Sequence, residues 1–328
     1  RLKQRYDEFK ELFPYIEWLD REEIEEVEPN VVEGRDEDTK LRALFSDQGY
    51  RIDYNHVTKT FIEDAQEVRG KTVDTWYGKK VNSIDQDNEQ FRISCEEDVV
   101  SNGLIVAAGG YSLPIARSIG LGKDLMILTV DGSYLTARNQ VNGKVYMMQN
   151  PKLPFAAVHG DADVHHEDET RFGPVSRMIP LMEKRNPETW KDFLKLFDFR
   201  WDAFASIASI LSDPTYIRYV CKQFLYALPI AGKWFYMQEV KKIIPEITYG
   251  ELKVREDLGE IRPQVVDIEE REIQLGEAKI TKPGVVFDIT PSPGASVCLR
   301  NAERNAKHLV NTLNDYSFYY SKFNDEYR

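Results

Sequence analysis

The sequence predicts a mixed α/β protein with two packed lobes, and three observations carry that reading. The chain has 328 residues, beyond the roughly 250 to 300 at which a single core stops growing. Leu104 to Ala108 is a continuously apolar run closed by Gly109-Gly110, the pattern of a strand covered on both faces in a parallel sheet and then turning sharply. The stretch from Pro187 to Pro245, by contrast, is rich in aromatic residues at helical spacing.

Taken in order, Leu2, Tyr6, Phe9 and Leu12 recur at helical spacing, and Glu22-Glu23-Ile24-Glu25-Glu26 reads as a solvated helix face. Asp53 or Asn55 can cap a helix that turns Val57, Phe61, Ile62 and Ala65 inward. Phe91, Ile93 and Cys95 alternate as a strand after the Asp87-Asn88 turn. Beyond Gly110, the residues Pro114, Ile115, Ala116 and Ile119 suit a short helix. A strand end of this kind in an α/β sheet is where ligands bind, although glycines there also serve purely local turns. Lys144 to Pro180 reads as strands and loops. In the aromatic region Trp190, Phe193, Leu194 and Phe197 form one apolar face, continued by Ile207, Ile210, Leu211, Tyr219, Phe224 and Leu225. These are expected in the core, with a membrane-docking or partner surface as the alternative for part of them.

Glu272 to Ile280 and Gly284 to Ile289 return to strand. Thr290-Pro291-Ser292-Pro293-Gly294-Ala295-Ser296 then opens a helix carrying Val297, Leu299, Ala302, Ala306 and Leu309. Strand, glycine turn and helix together present backbone N–H groups and a positive dipole end to an anion or an electron-rich ring. An ordinary helix start capped by Ser292 or Ser296 is the simpler alternative.

Composition bounds the function. Hydrophobic residues make up 42% and charged residues 30%, as in soluble globular proteins. Net charge is −12, so no nucleic-acid partner is expected, and an anionic substrate needs a local pocket of arginine, histidine or helix N-termini. Cys95, Cys221 and Cys298 are widely spaced without CxxC, which suits buried thiols in a reducing, cytoplasmic compartment. No run approaches the roughly 20 apolar residues of a membrane span. The chain opens on Arg1 rather than Met, so an upstream segment is expected.

Val32-Glu33-Gly34-Arg35-Asp36 followed by Asp53-Tyr54, then Ala107-Ala108-Gly109-Gly110, Phe172-Gly173-Pro174 and Ser292-Pro293-Gly294-Ala295-Ser296 stand in an order that resembles malate:quinone oxidoreductase over nearly the whole chain. That family belongs with the flavoproteins that include D-amino-acid oxidases and L-2-hydroxyglutarate oxidase. The resemblance implies FAD, a 2-hydroxy-dicarboxylate donor, a quinone acceptor and a place in the tricarboxylic acid cycle. It also implies a Rossmann-like FAD-binding domain, incomplete at its N-terminus, in residues 1–128 and again in 266–328. A substrate domain of mixed sheet and helices fills 129–265. No GxGxxG occurs in these 328 residues, although the family grips the FAD pyrophosphate with one upstream. A fragment or truncated chain is therefore expected.

Oxidising an alcohol by a flavin requires a base for the hydroxyl proton, a role suited to histidine. Ala157-Val158-His159-Gly160-Asp161 resembles the VPHxD segment of the family and the GVH segment of L-2-hydroxyglutarate oxidase, which makes His159 the expected base and Asp161 its orienting or substrate-side partner. His159, Asp161, Asp163, His165, His166 and Asp168 could instead ligate a divalent metal. Closed-site spacings are absent, and no metal is expected. Arg262 and Gln264 resemble the family's GxRxQ stretch with one extra residue, so Arg262 is expected to hold a substrate carboxylate bidentately and Gln264 to add a polar contact. A surface arginine ahead of a proline turn is the alternative. Arg171 is a second arginine for a dicarboxylate. Ala108, Gly109, Gly110, Ser292, Pro293, Gly294, Ala295 and Ser296 are carried over as flavin contacts. An L-2-hydroxyglutarate oxidase or dehydrogenase is the alternative enzyme, and a non-catalytic binding module without flavin the alternative class. Contact with a membrane-dissolved quinone would be peripheral, at the inner face, and would need a local patch between Trp190 and Trp234.

Overall fold

The computed structural model describes residues 1–149, 153, 157–197, 201–274, 276, 278–290, 294–313 and 316–327. Its helices in chain order are α1 (Leu2–Lys10), α2 (Arg21–Val27), α3 (Pro29–Val32), α4 (Tyr54–Gln66), α5 (Ser112–Ser118), α6 (Trp190–Phe197), α7 (Trp201–Leu211), α8 (Pro214–Tyr226), α9 (Ala231–Val240), α10 (Cys298–Val310) and α11 (Tyr320–Tyr327). Its strands are β1 (Glu17–Leu19), β2 (Ala43–Phe45), β3 (Ser83–Asp87), β4 (Gln90–Ser94), β5 (Val99–Ser101), β6 (Leu104–Val106), β7 (Leu125–Arg138) and β8 (Lys144–Tyr146). They continue with β9 (His159–Ala162), β10 (Glu169–Met178), β11 (Lys253–Arg255), β12 (Ile261–Asp267), β13 (Glu272–Ile273), β14 (Lys279–Lys282) and β15 (Val285–Asp288). The fold is mixed α/β, as the sequence predicts.

The chain forms two compact units, each assembled from three separate segments. The first takes Arg1–Asp64, Gly132–Arg177 and Thr215–Glu260. Its sheet lines up β8, β9, β10 and the second half of β7, with β11 pairing β7 as well. A core of Leu135, Ala137, Phe172, Val175, Tyr236, Val240 and Ile243 packs α9 and the segment after it on that sheet. Burying such side chains stabilises the fold by roughly 1.5 to 3 kcal/mol each. A smaller cluster of Leu19, Ile24 and Val32 sits under the β1–β2 ladder. The acidic helix α2 is started by a capping box. The Asp20 carboxylate accepts from the N–H groups of Glu22 and Glu23, while Glu23 accepts from the Asp20 N–H. Arg35 gives the Glu33-Gly34-Arg35-Asp36 segment a structural role: its guanidinium donates to the carbonyls of Val31 and Lys242, each at 2.6 Å, and to Ile243.

The second unit takes Ala65–Asp131, Met178–Pro214 and Ile261–Arg328. Here β15 pairs in parallel with β6, Val286 opposite Ile105, and β14 joins the other edge of β15. The meander β3–β4–β5 adds Ile84 and Phe91 to a core with Val106, Ala116, Val285 and Phe287. The first half of β7 pairs antiparallel with β12, placing Arg262 opposite Val130 and Gln264 opposite Leu128.

Several expectations are corrected. Val106 is buried but Ile105 is 42% exposed, so the apolar run is covered on one face rather than two. Within α4, Val57, Ile62 and Ala65 are only half-buried and Phe61 is exposed. Aromatic and apolar residues expected in the core lie at the surface instead, Trp190, Phe224 and Leu225 among them, as does Trp201 at 88% exposure. Phe193, Ile207 and Ile210 do pack on the core, and the side chain of Phe197 lies outside the described residues. In α10 the buried positions include Asn301, Glu303 and Asn305 while Ala302 is exposed, so the polar residues turn inward. Cys221 and Cys298 are exposed rather than buried. Contacts divide the chain at 64/65, 131/132, 177/178, 214/215 and 260/261, and at 131/132 β7 passes from one unit to the other in mid-strand. Among the described residues no helix is long and apolar enough to cross a membrane.

Candidate active site

In the first unit the charged residues singled out from the sequence converge on the β8–β9–β10 ladder. Alternation along β9 puts His159 and Asp161 on one face, and the register sets His159 between Tyr146 and Gly173, and Asp161 between Lys144 and Arg171. His159 is 7% exposed. Its ring lies 4.7 Å from that of Tyr146 and edge-on at 6.4 Å to that of Tyr134. Gly173 allows this packing, since a Cβ there would overlap the Tyr134 ring.

His159 Nδ1 is 3.2 Å from the carbonyl oxygen of Ala157. A carbonyl only accepts, so Nδ1 carries a proton; in the neutral ring this leaves the lone pair on Nε2, the tautomer a base requires. Nε2 lies 4.0 Å from Asp161 Oδ1, a buried oxygen with no hydrogen bond among the described residues. Asp161 is within ion-pair range of a positive charge raised on that ring.

Arg171 is committed elsewhere. It donates to Asp161 Oδ2 at 2.8 Å and lies 3.4 Å from Asp163 Oδ2. Burial opposes ionisation of Asp163, but the His165 N–H, the Arg171 charge and the His166 N–H outweigh it and hold this carboxyl below the ordinary aspartate value. Burial likewise opposes the charge on Lys144, and Tyr146 and Asp161 overcome it, so its ammonium is held above the usual lysine value. His165 pairs with Asp53, whose carboxylate caps α4 through the N–H groups of Asn55 and His56. Among the described residues no three His, Cys, Asp or Glu are arranged to hold a metal ion.

In the second unit, Ala107, Ala108 and Gly109 are exposed at the end of β6. Gly109 sits at φ +55°, with open space where a Cβ would stand. At Gly110 a Cβ would come 2.9 Å from Met182 Cε and 3.5 Å from Pro263 Cβ, so the turn packs tightly on β12. Ser112 Oγ has its one proton within reach of the carbonyls of both Val106 and Asp288, and accepts from the Ala108 N–H. It thereby ties together the parallel ends of β6 and β15. Asp288 accepts from Thr290 and Asn305. These bonds, with Lys279, overcome the cost of burial and keep it ionised below the usual range.

The turn residues Gly294, Ala295 and Ser296 precede α10, which begins at Cys298 with Val297 as N-cap and no side-chain cap. The helix therefore starts later than the sequence predicts, and Ser296 does not cap it. Ser292 and Pro293 lie outside the described residues. Arg262 and Gln264 share one face of β12, Gln264 being buried, whereas Pro263 on the opposite face meets Gly110. Among the described residues Arg262 has no carboxylate partner.

Comparison with known proteins agrees with the fold and with the family resemblance. The family model for malate:quinone oxidoreductase matches residues 1–276. The malate:quinone oxidoreductase of Helicobacter pylori is 36% identical over 334 residues, covering 98% of this chain and 73% of its own. The chain belongs to the malate:quinone oxidoreductase family. A probable malate:quinone oxidoreductase of Campylobacter jejuni is 36% identical over 99% of this chain and 75% of its own. The L-2-hydroxyglutarate dehydrogenase of Caenorhabditis briggsae is more distant, 24% identical over 88% of this chain and 65% of its own. Among solved structures, the reduced L-α-glycerophosphate oxidase of Mycoplasma pneumoniae with FAD bound superposes with a TM-score of 0.56 at 15% identity, covering 95% of this chain and 71% of that one. The fold is thus one used by FAD-dependent oxidoreductases.

Sequence reasoning missed Tyr134, Tyr146 and Lys144, which surround His159 and Asp161 only through strand register. It also missed Asp131 and Lys184, paired at 2.9 Å and almost wholly buried in the second unit. A lysine and an aspartate more than fifty positions apart carry no local signal.

Proposed function

We propose that the chain oxidises a 2-hydroxy acid with FAD as cofactor, (S)-malate to oxaloacetate, and passes the electrons to a quinone. The observation that carries this reading is 36% identity to a malate:quinone oxidoreductase over 98% of the chain, against 24% over 88% for an L-2-hydroxyglutarate dehydrogenase. The chemistry around His159 in the first unit supports it. His159 takes the hydroxyl proton at Nε2, and the resulting imidazolium is stabilised by Asp161 Oδ1 at 4.0 Å. Arg262 holds a substrate carboxylate with its two-pronged guanidinium, with Gln264 as a neighbouring polar contact. Arg171 acts through Asp161, fixing the carboxylate that faces the base.

The residues present fit a flavin. The β6 and β15 ends offer the exposed backbone of Ala108 and Gly109, an open space at the Gly109 Cβ position and close packing at Gly110. Gly294, Ala295 and Ser296 open onto the first turn of α10, where the Cys298 N–H bonds back to the Ala295 carbonyl at 3.4 Å and the positive end of the helix dipole faces the turn. Ser292 and Pro293 complete the same proposed contact. When bound, FAD supplies the acceptor for the hydride on the substrate carbon. The quinone places the protein at the inner face of a membrane, held peripherally.

Anaerobic addition of (S)-malate is expected to bleach the yellow flavin absorbance of the purified protein, and a quinone analogue to restore it. Bleaching by L-2-hydroxyglutarate but not malate would transfer the assignment to that substrate. A protein that stays colourless with added FAD would instead be a binding module.

A further inference from the structure

The helix α8 and the turn after it carry an exposed apolar stripe. Ile217, Cys221, Phe224, Leu225 and Leu228 recur at the i, i+4, i+7, i+8 and i+11 spacing of a single helical stripe, and all five are exposed, Phe224 at 69%. The opposite side is half-buried: Tyr219, Val220 and Tyr226 lie on it, Gln223 and Tyr226 carry buried polar atoms, and the partly exposed Lys222 reaches Glu239 of α9 at 2.6 Å. A helix with the usual orientation buries its apolar stripe. The stripe continues into the turn to α9, where Ile230 is 87% exposed.

Ile230 also sits at φ +63°, a costly conformation for a β-branched residue. Neither burial nor backbone preference accounts for an isoleucine there. Trp234 is exposed beside it, and Tyr249 donates to the Ile230 carbonyl while its ring lies 3.9 Å from Lys233 Nζ.

Charge selects the occupant of this surface. Residues 214–242 hold five cations, Arg218, Lys222, Lys233, Lys241 and Lys242, against the single anion Glu239, a net of +4 in a chain of net −12. Two copies of such a surface repel each other. Anionic lipid headgroups attract it, while the stripe and the tip suit the acyl boundary, with Trp, Tyr and Lys at the interface. We propose that the α8–α9 hairpin docks the protein on an anionic bilayer through Phe224, Leu225, Leu228 and Ile230. The inference rests on the quinone reading above, since a quinone dissolved in lipid is reached from a docked enzyme.

The purified protein, mixed with phosphatidylcholine vesicles with and without phosphatidylglycerol, tests it by co-sedimentation. The protein is expected to partition onto the anionic vesicles and to be released by salt. Leu228→Glu with Ile230→Glu, and separately Arg218→Glu with Lys233→Glu, should each lower partition about tenfold or more. Both are surface changes and should keep (S)-malate oxidation with a water-soluble dye acceptor. Protein left in the supernatant with anionic vesicles, or variants that bind as well as the parent, overturns the proposal. So does a tip variant that turns a dimer into a monomer in gel filtration with vesicle binding unchanged, which assigns the stripe to a second copy. Dye-linked malate oxidation without vesicle binding sinks the docking surface alone. Vesicle binding without malate oxidation sinks the enzymatic reading alone.

Discussion

At the scale of residues, the His159 environment depends on side chains that are far apart in sequence. His159→Gln is expected to lower kcat on malate by about 10² to 10⁴-fold while leaving the flavin spectrum intact; a spectrum lost along with activity would mean a structural role instead. Gly173→Ala places a Cβ against the Tyr134 ring and should reduce kcat by displacing the imidazole, with a smaller effect on flavin content. Arg262→Met should raise KM for malate about tenfold or more, the loss of a charged hydrogen bond of roughly 1.5 to 3 kcal/mol. Asp163, held below the ordinary aspartate pKa of about 3.9, stabilises the fold above that value and loses this contribution as pH falls through its own lower pKa. Melting temperature should therefore drop as pH falls below about 4, and more gently in Asp163→Asn. His159 and Gly173 are legible in the sequence because each lies in a short local motif. Tyr134, Lys144 and Tyr146 meet them through a register that no local pattern encodes.

Among the elements, periodicity shows that a stripe is apolar without showing which way it faces. Phe224 and Leu225 have the spacing of a core face and lie outside; Asn301, Glu303 and Asn305 of α10 have the composition of a solvated face and lie inside. The orientation is set by what packs on each helix, and that is non-local. Strands were more readable, because β4 and β15 combine apolar patterning with turn residues on either side. Gly259, at φ +78°, abuts the Gly132 carbonyl so closely that a Cβ would overlap it. Gly259→Ala is expected to cost about 2 to 4 kcal/mol, read as a lowered denaturation midpoint; an unchanged midpoint would mean that the approach to β7 is looser than described.

Across the whole molecule, the chain passes between the two compact units five times, once within β7. Neither unit is a contiguous stretch, so calorimetry should record one cooperative transition rather than two, and limited proteolysis should release neither unit as a folded fragment. Length and patterning lead the sequence to two lobes, whereas the interleaving of segments leaves no local signal, since β7 continues unbroken across residues 131 and 132. That interleaving constrains ancestry and engineering alike. No single crossover in the gene can exchange one unit for a homologue's without cutting the other, so recombination cannot shuffle them as modules, and changes in the two halves of β7 must be inherited together.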